Sequence, residues 1–221
     1  MEMLRMDHIT KIYPNGFVAN KDVTFAVNEG EIHSLVGENG AGKTTLMKIL
    51  FGMEDKQGGD IFIREQKVKI TSPLDAISKG VGMVHQHFML LNSLTVAENV
   101  VLGIEPMKNG LFDFEEAVVM TQKIADKYNF ALDARTRVKD LSVGQMQKVE
   151  ILKALIKGAR VLILDEPTAV LTPQETEELF EQLLLLREDG HAIIFISHKL
   201  EEVMRLCSRV TVLRHGYRQG T

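Results

Sequence analysis

Residues 37–44 read GENGAGKT, a G-x-x-x-x-G-K-T pattern set between the apolar run EIHSLV and the helix-forming stretch KTTLMKIL. That spacing suits the binding of a polyphosphate. Gly37, Gly40 and Gly42 leave room for backbone N–H groups to wrap phosphate oxygens, and the helix that follows adds positive potential. Lys43 neutralises charge between the β- and γ-phosphates, and the Thr44 hydroxyl is a ligand for Mg²⁺. The cradle as a whole comprises Gly37, Glu38, Asn39, Gly40, Ala41, Gly42, Lys43, Thr44 and Thr45. An ordinary glycine turn before a helix has no need of the Lys-Thr pair, so the stretch is read as a P-loop.

The run VLILDEP, residues 161–167, ends an apolar strand on two acids. Alone, such a pair is more often a solvated loop or a helix cap. Beside a P-loop, Asp165 is placed to hold Mg²⁺ through a water, and Glu166 to polarise an attacking water as general base. Gln86 follows the strand-like VGMV, where its amide is in reach of either Mg²⁺ or the lytic water. His198 follows IIFIS, where it is placed to bond a γ-phosphate. His85 and His87 have no metal-ligand company and read as polar loop residues. Tyr13, before PNG, is either a stacking partner for adenine or a rim aromatic. A second anion-holding stretch lies at LSVGQMQ, residues 141–147, with Ser142 as N-cap, Val143 at N1 and Gln145 at N3. A β-branched residue costs little at N1, and Gly144 keeps the surface bare for an approaching phosphate.

These residues need a sheet to line them up. EIHSLVG, RVLILD, AIIFIS and RVTVL are apolar runs of the kind found in a parallel sheet buried on both faces, and GVGMVHQ adds another strand. FVANKDVTFAV and DIFIREQKVKI read as a small antiparallel region. Helices follow the P-loop, closing at Gly52, and run from Pro173 to Arg187 and from 199 to 206. From 87 to about 157 the pattern is helical, with capping pairs Thr95/Glu98 and Asp113/Glu116. Strands alternating with helices predict an α/β fold with a mainly parallel sheet. Bulk composition narrows the class. The 221 residues are 45% apolar and 25% charged with net charge −4, which gives no polybasic surface for nucleic acid. The single cysteine, Cys207, forms no internal disulfide and is read as a small buried apolar residue. No apolar run reaches membrane-spanning length, and the reading is of a cytosolic protein.

Taken in order, Tyr13, the P-loop, Gln86, LSVGQ, LILDE and His198 resemble the nucleotide-binding domain of ABC transporters across essentially the whole chain. The resemblance implies a P-loop NTPase with a RecA-like core plus an antiparallel β subdomain (1–86 and 158–221) and a helical subdomain (87–157). It implies ATP and Mg²⁺ as ligands, and head-to-tail pairing of two such domains. Ser142, Val143, Gly144 and Gln145 are then the signature offered to the ATP held by the opposite P-loop. It further implies transmembrane permease subunits contacted near the Gln86 loop, a solute-binding protein acting indirectly, and a peripheral position on the inner face of the membrane.

Two positions depart from the commonest pattern: Val143 for glycine, and Thr172 for aspartate in TAVLT. Thr172, Pro173 and Glu175 still form an N-cap with proline at N1 and a capping glutamate. Both departures, with GMVHQHFMLLNSLTVAENVVLG, resemble the sugar- and nucleoside-importer branch, in which two nucleotide-binding domains share one polypeptide. The single copy here resembles the N-terminal one, so the chain is expected to be part of a longer protein. Its partner is then either the missing second half or another copy of this domain. A non-transport ABC-type clamp acting in DNA repair or translation is the alternative. The stretch from 86 to 142 is too short for a repair-type coiled coil, and the acidic net charge gives no support to a ribosome-associated type.

Overall fold

Eleven residues of mixed polarity, EMLRMDHITKI, open the chain as strand β1 (Glu2–Ile12), paired antiparallel with β2 (Val18–Asn28) in a computed structural model that describes residues 1–221. β1 escaped the sequence reading because its register shifts between Met6 and Ile9, where His8 takes a left-handed φ of 54°, and the polar–apolar alternation breaks there. Next come β3 (Ile32–Val36), the P-loop and helix α1 (Lys43–Leu50). β4 (Gly58–Ile63) and β5 (Gln66–Val68) then complete an antiparallel sheet ordered β2-β1-β4-β5. A short helix α2 (Pro73–Ser78), capped by Ser72, leads into β6 (Val81–Val84).

The stretch expected to be wholly helical is not. Between α3 (Val96–Val101) and α4 (Phe114–Lys127) lies a hairpin of β7 (Met107–Lys108) and β8 (Leu111–Phe112). Asn109 and Gly110 turn it with φ of 54° and 82°, the paired positive values that an Asn-Gly hairpin turn requires. A single 3₁₀ turn (Val138–Asp140) precedes α5 (Val143–Ile156). The chain ends β9 (Val161–Asp165), α6 (Pro173–Glu188), β10 (Ala192–Ile196), α7 (Leu200–Leu206), β11 (Arg209–Arg214) and β12 (Tyr217–Gly220). Reciprocal capping boxes start α3, α5 and α6, as their sequences foretell. At α4 Asp113 accepts from the Glu116 N–H, and the bond is not returned.

The main sheet is ordered β12-β11-β3-β10-β9-β6, parallel throughout except for β12. Every residue of β3, β9 and β10 is buried because both faces are covered. Val161 and Ile163 face a core shared with α1 and the antiparallel sheet, while Leu162 and Leu164 face one built from α5 and α6. Burying each such side chain contributes about 1.5–3 kcal/mol. α5 is thus packed on the main sheet through Val149, Ile151 and Leu152, as well as on α3 and α4. No helix is long and apolar enough to cross a membrane.

Candidate functional site

Four neighbouring strands of the main sheet, β3, β10, β9 and β6, end on the same edge because they run parallel. The P-loop follows β3, His198 follows β10, Asp165 ends β9 with Glu166 next, and Gln86 follows β6. Parallel strand order, rather than nearness in sequence, is what gathers them.

The P-loop takes its shape from segments far away in the chain. A Cβ on Gly37 would stand 2.2 Å from the carbonyl oxygen of Leu213, and one on Gly42 would stand 2.2 Å from that of Ala19. Gly42, at φ 101°, is the N-cap of α1, and its carbonyl accepts from the buried Asn20 amide at 3.2 Å. Ala41 accepts from the Gly216 N–H at 3.1 Å, and Gly216 in turn accepts from Lys21 N–H at 2.8 Å. No side chain caps α1, so its first N–H groups are available to an anion. The Lys43 ammonium lies within the loop, donating to the Gly37 carbonyl and, at 3.0 Å, to that of Glu38. Burial pulls its pKa down, opposed by the charges of Glu166 and Asp165.

Asn39, Gly40, Ala41, Gly42, Lys43, Thr44 and Thr45 line a cavity of about 170 Å³ together with Asp165, Glu166, Ile196 and Phe17. Gly37 and Glu38 are not on its wall; their carbonyls hold Lys43. Tyr13 is not on the wall either. Its hydroxyl reaches Glu54 at 3.4 Å, the Lys11 ammonium lies 5.0 Å from its ring centre, and Phe17 stacks against it at 6.3 Å and 25°. The aromatic that faces the cavity is therefore Phe17, which nothing in the sequence separates from the strand it precedes.

Asp165 is nearly buried, and burial followed by the charge of Glu166 raises its carboxyl pKa. A cation beside it would restore the ionised form. Thr44 and Asp165, two hard oxygen donors on one wall, fit Mg²⁺, which binds few protein groups and keeps several waters. Gln86 is not on that wall: its Nε2 donates to Glu166 Oε2 at 3.3 Å. His198 Nδ1 bonds Glu166 Oε1 at 3.2 Å, so both oxygens of Glu166 are held from neighbouring strands. An ionised carboxylate only accepts, so Nδ1 carries the hydrogen here. With Nδ1 engaged on Glu166, that nitrogen reaches a phosphate only on release from the carboxylate. Glu166 has a left-handed φ of 49°, a conformation costing an L-residue about 1–2 kcal/mol, with its N–H tied to the Ile196 carbonyl at 3.0 Å.

His85 sits in the loop as expected but is half-buried rather than solvated. It packs edge-on against Phe51 at 6.0 Å and, with Met83, Met89 and Glu150, lines a second cavity of about 230 Å³. Burial lowers its pKa. Cys207 is half-buried, its thiol pKa pushed up to about 12 by burial, in keeping with its reading as a small apolar group.

Ser142, Val143, Gly144 and Gln145 lie outside the P-loop cavity, at the start of α5. Gln145 Oε1 accepts from the Ser142 N–H at 2.9 Å, and Val143 is half-exposed at N1. The space above Gly144 is not bare: the Glu175 carboxylate fills it, accepting from Ser142 Oγ at 3.0 Å and the Gly144 N–H at 3.1 Å. Sequence marked Glu175 as a cap for α6 and carried no signal of this second engagement.

The family model described as ABC transporter matches residues 20–169. The glucose import ATP-binding protein TsgD13 of Haloferax volcanii is 48% identical over 99% of this chain and 44% of its own length. The guanosine import ATP-binding protein NupO of Bacillus subtilis is 50% identical over 97% of this chain and 42% of its own. The ribose import ATP-binding protein RbsA of Yersinia pestis is 44% identical over 99% and 43%. The chain thus spans less than half the length of these curated relatives. Among solved structures, an ATP-binding cassette of an ABC transporter in its ADP conformation superposes with a TM-score of 0.87 at 26% identity, over 99% of this chain and 89% of that one. A dimeric bacterial ABC transporter cassette gives 0.82 at 26%, over 99% and 97%.

Proposed function

Because the chain belongs to the ABC transporter family, we propose that it is the ATP-binding and hydrolysing domain of an importer, turning ATP and water into ADP and phosphate. Closure of a head-to-tail pair of such domains then drives uptake of a nucleoside or simple sugar through permease subunits, with a solute-binding protein acting indirectly. The observation that carries the reading is Glu166 held between Gln86 and His198 on the wall of the P-loop cavity.

Each step follows from the chain's own groups. Free N–H groups at the start of α1 and the Lys43 ammonium hold the phosphates, which displace Lys43 from the Gly37 and Glu38 carbonyls. Glu166 takes the proton of the attacking water, with His198 orienting it through Oε1. Thr44 and Asp165 would hold Mg²⁺, with Gln86 joining them once it leaves Glu166, and the ion would supply charge neutralisation to the phosphates. Phe17, on the cavity wall and backed by the Tyr13 ring stacked against it, takes the adenine. Ser142, Gly144 and Gln145 take the γ-phosphate of the ATP on the opposite domain.

The relatives whose names speak of glucose, guanosine and ribose import support the sugar or nucleoside branch over a clamp in repair or translation. The dimeric cassette among the structural neighbours supports pairing, and the length of the relatives favours a second half of the same polypeptide as the partner. We assign 87–157 to a helical unit that moves against the remainder, and the whole to the inner face of the membrane as a peripheral protein. The decisive experiment is Glu166→Gln. It keeps ATP affinity by calorimetry while phosphate release falls roughly 10²–10⁴-fold and ATP-bound dimer accumulates. Turnover equal to wild type removes Glu166 as the base.

A further inference from the structure

One carboxylate ties two helix starts together. Glu175, on the first turn of α6, returns Oε2 to the Thr172 N–H at 3.0 Å and to the Thr172 hydroxyl at 3.1 Å, closing the α6 capping box. Oε1 leaves α6 and takes the Ser142 hydroxyl and the Gly144 N–H at the start of α5. The side chain lies flat on Gly144: a Cβ there would meet Glu175 Oε1, Cδ and Cγ at 2.6, 2.7 and 2.8 Å.

An anionic oxygen that accepts from a serine hydroxyl and from an N–H in the first turn of a helix does what a phosphoryl oxygen would do in the same place. The donors keep the Glu175 carboxyl below the usual range, the Thr172 N–H foremost, so the group is ionised. One N–H hydrogen serves one strong acceptor, and two anions cannot share the same pair of donors without repulsion. We propose that Glu175 is the resident anion of the signature cradle in the separated domain, and that the γ-phosphate of the partner domain's ATP must displace it for the pair to close. This rests on the composite-site reading above.

Two consequences follow. The cradle donors are satisfied before pairing, so closure exchanges one acceptor for another and gains less than the full value of new bonds. Displacement also removes the glutamate from the Thr172 cap, at the end of the segment that begins with Glu166, where Ala169 N–H bonds the Glu166 carbonyl at 3.2 Å and Leu171 N–H that of Thr168 at 3.4 Å. Arrival of a phosphate on α5 is thereby felt on the loop that carries the base.

The test uses this chain with Glu166→Gln to block turnover, and follows Mg²⁺–ATP-dependent dimerisation by sedimentation. Adding Glu175→Gln removes the charge and keeps the shape. The dimer dissociation constant is expected to fall about tenfold with ATP affinity of the monomer unchanged by calorimetry. An equal or weaker dimer overturns the proposal. Thr172→Ala breaks the same α6 cap while leaving the carboxylate, so an equal tightening there assigns the effect to a loosened helix and also overturns it. Ser142→Ala tests the underlying reading separately. If the dimer forms undiminished without the hydroxyl, the composite site itself fails. If Ser142→Ala weakens the dimer and Glu175→Gln does not tighten it, only the role of Glu175 falls.

Discussion

Lys43 is the residue on which nucleotide affinity turns, since its ammonium is buried in the loop with only backbone carbonyls as direct partners. Asp165 and Glu166 act on it through space. Phosphate oxygens are far better acceptors than two carbonyls, so Lys43→Ala forfeits charge-assisted bonds of about 1.5–3 kcal/mol each. ATP affinity by calorimetry is expected to drop at least tenfold, and an unchanged dissociation constant contradicts the assignment. Lys43 was legible from the P-loop pattern, and Asp165, Glu166, Gln86 and His198, each weak alone, drew their meaning from standing after strands in a chain that carries that pattern. Their mutual bonds were not. That Gln86 and His198 reach opposite oxygens of Glu166 depends on β6 and β10 flanking β9, an order no local spacing encodes. Phe17 was missed for a related reason: only the packed turn aims its ring at the cavity.

At the scale of elements, α5 grips the loop after Gln86 by a single residue. Glu150 Oε1 accepts from the Met89 N–H, Lys153 Nζ donates to the Met89 carbonyl at 2.7 Å, and the two side chains pair at 3.1 Å. Glu150 is almost wholly buried, so removing it leaves Lys153 without its counter-charge and frees the loop. Glu150→Ala is expected to cost about 1–3 kcal/mol in urea unfolding and to speed hydrogen exchange at the Met89 amide, while Lys43-dependent ATP binding persists. Wild-type protection of that amide refutes the clamp. Elements themselves were readable where pattern and caps agreed, as at α3, α5 and α6. They failed where a local irregularity hid the pattern, as at β1 with its His8 bulge. The β7–β8 hairpin had its Asn-Gly signal in plain view, overshadowed by the helical periodicity on either side.

For the whole molecule, buried histidines that fold neutral contribute to the loss of stability just below pH 6.5. His33 is fully buried, bonded to the Ala26 carbonyl and to Thr211 Oγ1 at 2.8 Å each, and His191 is nearly so. Desolvation, ahead of every other cause, lowers both pKa values below the ordinary 6.5. The unfolded chain therefore binds these protons first as pH falls. Stability is fully present above about pH 6.5 and declines as pH drops through 6.5 toward the folded-state values. His8 shifts upward through Asp22, the opposite sign, yet the pair is exposed and weak. Urea midpoints are expected to fall between pH 7 and 5.5, and a flat or rising profile contradicts the burial argument. The parallel sheet with both faces covered could be read from the apolar runs. The interlock behind the P-loop could not: Ala19 and Asn20 press on Gly42, and Leu213 and Gly216 press on Gly37 and Ala41, from opposite ends of the chain. That interlock bears on synthesis. Residues 37–44 leave the ribosome long before 213–216, and closing so long a loop is entropically costly and slow. The phosphate cradle is thus completed only after β11 and the turn beyond it have been made, and nucleotide uptake waits on that stretch.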